Sequence, residues 1–299
     1  NATGSANIQV GGNLQCSGTC GTINLTTNKF IYAPAASPRT FGTNVAGTTG
    51  WTFNQLAFKN SSLTLSAITV TINGTATGTI TVAGQLTVGS ASDLGNMIVD
   101  NNTNSRSWDV NGDVVIVGST GILQAGNPTF FRVAGSWNNS GTFTHNNGTI
   151  AFDSGATGKT INNGSSTFYD LIASNSAGSW SPASNILQIT HDLLVRAGTI
   201  DNSASAANIL VAGNVQCSTT CGTINLTTSK FTQRVATAQS FGTNVAGTTA
   251  WTFKEIEFRN TSGSSATVTV NNSATGIITV SGLLTVGSTS DTAATVLQN

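Results

Sequence analysis

VNGDVVIVGSTGILQAGNPTFFRVAGSW, residues 110–137, holds two copies of one short pattern: an apolar residue, a spacer, a glycine, a polar residue and a second apolar run. Val110-Asn-Gly112-Asp113-Val114 is the first copy, and Val133-Ala-Gly135-Ser136-Trp137 is the next. The pattern recurs outward along the chain, as VAGQLTV from Val82, VAGNVQ from Val211 and VSGLLTV from Val280. ITHDLLV from Ile189 keeps it with His191 in the glycine slot. The steps from Val82 to Val110, from Val110 to Val133 and from Ile189 to Val211 are close to one another in length. Such a spacing suits one coil of a solenoid, with two or three strands of three to six residues per coil. Glycine suits the corners because it accepts positive φ.

A longer period encloses the short one. NLQCSGTCGTINLTTNKF, ending at Phe30, returns as NVQCSTTCGTINLTTSKF, ending at Phe231; FGTNVAGTTGWTF from Phe41 returns as FGTNVAGTTAWTF from Phe241. Residues 1–201 make one complete repeat and residues 202–299 a partial second copy, continuous with the first. Neither terminus carries a polar cap, so the expectation is a segment of a longer tandem array or one covered by neighbouring subunits.

Composition agrees with an all-β parallel solenoid (β-helix) of stacked coils of about 22–28 residues, an elongated rod of roughly a dozen coils. Only 7% of the 299 residues are charged against 38% hydrophobic. β-Branched residues are abundant and strong helix formers scarce. Parallel in-register stacking brings like side chains about 4.8 Å apart, which favours ladders of Thr, Val, Ile and Asn and penalises repeated charge. The chain has 11 basic and 11 acidic residues with no basic stripe, so nucleic acid is not an expected partner. No apolar run approaches the length that spans a bilayer, so membrane insertion is not expected either. No charged n-region and apolar h-region follow Asn1, so an export signal is expected upstream or already removed.

Differences between the copies sort inward from outward positions. Between TFNQLAFKN (from Thr52) and TFKEIEFRN (from Thr252), Asn54, Gln55, Ala57 and Lys59 become Lys254, Glu255, Glu257 and Arg259, while Phe53, Leu56 and Phe58 stay apolar. The first set is expected to face water and the second the core.

Chemistry-bearing residues are few. Cys16 and Cys20, and their copies Cys217 and Cys221, share an i, i+4 spacing that suits two local disulfides, with buried free thiols as the alternative. Disulfides would imply an oxidising, exported setting. Asp109-Val-Asn-Gly-Asp113 resembles the start of a calcium loop, but Thr120 stands where a bidentate Glu is needed, so a solvated corner is expected. Glu255 and Glu257 have Gln55 and Ala57 in the other copy, as surface positions would. His145 lies in a polar turn and His191 in a corner, both read as structural or exposed. No catalytic residue, metal site or cofactor is assigned. The five Trp, among them the matched pair Trp51 and Trp251, read as core rather than as a sugar-stacking row. Sequons such as Asn24, Asn147, Asn225 and Asn260 occur about as often as this composition produces by chance.

Val133–Gly178 carries GSWNNSGTF, GTIAF and TFYDL, and in these motifs resembles repeats of large secreted bacterial β-solenoid surface proteins and adhesins. The resemblance implies export, a parallel β-helix and a role at the cell surface, with no catalytic residues to transfer. The expected function is a structural component of an extracellular fibre or surface layer whose partners are other copies of itself, assembled end to end or laterally. A stalk or glycan-binding segment of an adhesin, contacting glycans or cell surfaces, is the alternative. A β-helix polysaccharide lyase or hydrolase would need carboxylates gathered on one face.

Overall fold

The structure, a computed structural model, describes residues 6–15, 21–42, 50–72, 78–127, 130–183, 186–217, 221–243, 250–270 and 276–298. The chain is a parallel β-solenoid of about ten turns, 57% strand, with no helix among the described residues. Coil length varies more widely than the spacing of the short pattern implies, from the brief step that pairs Ile122 with Thr142 to the long one that pairs Arg39 with Val70. The longer coils consume chain, which is why about ten turns form against the dozen expected. Two compact units divide it: residues 1–150 with 163–166, and residues 151–162 with 167–299.

In the first unit, three-residue strands such as Trp108–Val110 and Val114–Ile116 alternate buried, partly exposed, buried. Each inward position stacks on its equivalent one coil away. Ile80 pairs with Trp108 and Trp108 with Phe131; Val82 pairs with Val110 and Val110 with Val133. Leu86, Val114 and Trp137 form the next column. On a second face, Val70, Val99, Leu123 and Phe143 line up through four coils. Trp108 and Phe131 stack with ring centroids 5.7 Å apart at 12°. Buried Asn60 closes one corner, its amide donating to the Ser66 and Asn96 carbonyls at 2.8 and 3.0 Å.

The second unit repeats this scheme. Ile209, Phe231, Ile256 and Leu284 form a column, and Asn260 donates to the Ser264 and Ala294 carbonyls as Asn60 does. Phe41–Phe58 and Phe241–Phe258 meet at the same centroid distance, 5.1 Å. Where the copies differ, the role persists: Tyr32 donates its hydroxyl to the Thr40 carbonyl at 3.1 Å, and buried Gln233, its counterpart, donates to the Ser240 carbonyl at 3.2 Å. Strands here exceed the expected three to six residues. Asp170–Pro182 and Thr223–Val235 each run 13 residues because the ladder continues through bulged corners instead of breaking at them.

Corner glycines have a different cause from the one expected. Gly84, Gly112, Gly135, Gly213 and Gly282 do not have positive φ. They stack on the backbone one coil below. A Cβ on Gly84 would sit 2.8 Å from the Asn54 carbonyl oxygen, and one on Gly112 would sit 2.5 Å from the Gly84 carbonyl. A Cβ on Gly135 would overlap the Gly112 carbonyl. Gly12 occupies the same corner as Gly213 with no described coil beneath it, and a Cβ there meets nothing within 4 Å. Close backbone approach, not conformational freedom, demands glycine at these sites.

Phe53, Leu56 and Phe58 are fully buried, and Phe253, Ile256 and Phe258 nearly so, as expected. Ala57 departs from the expectation: it is 1% exposed although it lies at an outward position. It is flanked in register by Ile31 and Thr87, whose larger side chains cover a methyl group. Glu257, its copy, lies in register between Thr232 and Thr285 and is partly exposed.

Candidate functional site

Cys217 and Cys221 form a disulfide with Cα atoms 5.0 Å apart, as their spacing predicts. Cys217 is buried at the end of strand Val215–Cys217, in register with Thr243. The next residue after the bridge, Gly222, is held from both sides: its N–H donates to the Val195 carbonyl and its carbonyl accepts the Trp251 indole N–H, each at 2.9 Å. Cys16 and Cys20 lie outside the described residues.

The five tryptophans are all buried, at 3% exposure or less, which removes them as an external sugar platform. Glu257 pairs with Lys230 at 2.7 Å and accepts from the Thr232 hydroxyl at 3.2 Å. Asp113 accepts the Ser136 N–H at 2.7 Å, while the Thr120 hydroxyl donates to the Ser90 carbonyl. Asp113 and Thr120 of the calcium-like stretch thus each make a bond to a neighbouring coil. His145 accepts the Asn147 N–H at 3.0 Å through Nδ1 in a tight turn with Asn146 and Asn147 at positive φ. Asp93 accepts the Asn60 N–H at 3.0 Å; burial pushes its carboxyl above the ordinary range, opposed by that bond and by the Lys59 charge. Arg106 is buried, and desolvation lowers the pKa of its guanidinium.

The bond made by Asp113 belongs to a general device. The Asp or Asn that follows the corner accepts the N–H of the equivalent residue in the next coil: Asn13 from Thr40 (3.2 Å), Asp170 from Asp192 (3.0 Å), Asp192 from Asn214 (2.7 Å) and Asn214 from Ser240 (2.9 Å). Each such bond satisfies a backbone donor that the turn would otherwise orphan.

At one corner this ladder gathers more chemistry. His191 lies flat on Tyr169, ring centroids 4.5 Å apart and planes at 3°. Its Nδ1 is 2.6 Å from Asp170 Oδ1 and 3.9 Å from Asp192 Oδ1. Asp170, His191 and Asp192 are the one group of three metal-capable side chains among the described residues. In the linear sequence His191 stands apart from Asp170, which lies a whole coil earlier in the chain. Aligning TFYDL under ITHDLL in coil register brings the two together.

Comparison with known proteins finds no similarity: no family model, no curated protein and no solved structure matches the chain. The likeness to secreted surface-protein repeats rests on the motifs of residues 133–178 alone.

Proposed function

We propose that this chain is a load-carrying part of an extracellular fibre or cell-surface layer, built from tandem solenoid repeats that associate with further copies of themselves. The observation behind this reading is what the two copies share. Common to both are the core columns, the aromatic packing and the buried corner asparagines, Asn60 and Asn260. What varies is the outward set at Asn54/Lys254, Gln55/Glu255 and Ala57/Glu257. Duplication has repeated a stacking scheme, while the acidic side chains described above are engaged in joining coils. The disulfide suits an oxidising, extracellular location, and burial of all five tryptophans in the core suits a mechanical role.

A second reading, an adhesin stalk with glycan-binding capacity, is favoured by one feature. The loop between Asn60 and Ile68 exposes Leu63 and Leu65 almost fully, whereas the shorter loop after Asn260 has Gly263 and Ser264. Antibody labelling of the source material in the electron microscope separates the two. Label along filaments or across a continuous layer supports the fibre. Label confined to isolated particles, with binding of the purified chain to glycans, supports the adhesin.

A further inference from the structure

We propose that Asp170, His191 and Asp192 form a surface binding site for one divalent transition-metal ion, with Zn²⁺ as the reference ligand. The donors are His191 Nδ1 and one oxygen from each carboxylate, all within 4.8 Å of one another. Zinc bonds of about 2.0–2.2 Å in tetrahedral geometry place donor atoms about 3.3–3.5 Å apart. The 2.6 Å separation of Nδ1 from Asp170 would open, and the 3.9 Å separation from Asp192 would close, each by less than about 1 Å. A nitrogen donor beside two carboxylates selects borderline metals over calcium or magnesium, which take all-oxygen shells.

The donors are held in place. Tyr169 fixes the plane of the imidazole. The Asp192 N–H anchors Asp170 Oδ1, and the Asn214 N–H and side-chain amide, at 2.7 and 3.1 Å, anchor Asp192 Oδ1. Such outer bonds orient ligands in metal sites. Side-chain exposures of 47% for His191, 27% for Asp170 and 28% for Asp192 leave room for water to complete the shell. On binding, the neutral ring enters as the Nε2–H tautomer, its Nδ1 hydrogen passing through water to Nε2, so that the Nδ1 lone pair faces the metal.

The fold does not require this histidine. The equivalent corner carries Gly12-Asn13 at the start of the first copy and Gly213-Asn214 one coil further on, and the stacking scheme runs through both. A Cβ is accommodated at 191 where the coil below turns with one residue fewer, Tyr169-Asp170 between Phe168 and Leu171 against Thr190-His191-Asp192 between Ile189 and Leu193.

The test is calorimetric titration of Zn²⁺ into the full chain, with the imidazole resonances followed by NMR. One saturable site is expected. His191→Gly and Asp170→Asn should each weaken it at least tenfold, the range for losing a ligand or its support, while His145→Ala leaves it unchanged. Circular dichroism checks that the variants fold. Wild-type affinity retained in both variants overturns the proposal. So does the lack of any His191 resonance shift at about 1 mM Zn²⁺, the weak limit of specific binding, and that result needs no variant to fold.

Discussion

Gly112→Ala should destabilise the chain by about 2–6 kcal/mol, although alanine is sterically allowed at a residue without positive φ. The added Cβ would lie 2.5 Å from the Gly84 carbonyl, whereas ordinary contact begins at 3.4 Å, so the coils must part locally by about 0.9 Å. Two bonds cross that joint: Asn111 N–H to the Val82 carbonyl at 2.8 Å, and Leu86 N–H to the Asp113 carbonyl at 2.9 Å. Stretching both by that amount carries them past hydrogen-bonding distance, a loss of about 0.5–1.5 kcal/mol each. Overpacking adds about 1–3 kcal/mol. Gly263→Ala is the control, because a Cβ there meets nothing within 4 Å, and it should stay within about 0.5 kcal/mol of the parent. Solenoids can unfold in stages, so the assay is hydrogen exchange at the Leu86 and Asn111 amides alongside urea unfolding. Equal protection and equal stability in the two variants would refute the stacking argument.

Three further outcomes are expected. Cys217→Ser should cost about 2 kcal/mol by the chain-entropy estimate for so short a loop, and a thermal melt with and without reductant should show the parent losing the same increment if no other bridge contributes. Asp93 has a folded pKa raised by burial, so its contribution to stability is fully present below the ordinary carboxylate value and lost as pH rises through the raised one. Asp93→Asn, which can still accept the Asn60 N–H, should therefore gain on the parent as pH rises from acid to neutral in urea titrations, and a constant difference would contradict the assignment. Ala57→Glu should destabilise by about 1–3 kcal/mol, because Ile31 stands where Thr232 donates to Glu257. Adding Ile31→Thr should recover part of that loss in a double-mutant cycle.

Coil period and facing were legible because both are periodic: Val82, Val110 and Val133 recur at coil spacing, and the apolar residues of TFNQLAFKN stay apolar in its copy. The disulfide at Cys217 and Cys221 was legible for a similar reason, since a four-residue spacing is local. Features that depend on the contact between coils were not. The cause of glycine at Gly112 lies in Gly84, one coil away, and the burial of Ala57 lies in the size of Ile31 and Thr87. His191 stands alone in the sequence for the same reason, its partner Asp170 being a coil distant. Strand length also escaped the sequence, because a bulge such as that between Leu226 and Lys230 lets the ladder pass a corner without an apolar signal.

The central claim is that parallel coils stacked in register make the load-bearing element of a fibre. X-ray diffraction from aligned material tests it most directly. The account predicts a sharp reflection near about 4.8 Å along the fibre axis, the spacing of stacked parallel strands. A reflection at that spacing only across the axis, or none at all, would contradict it.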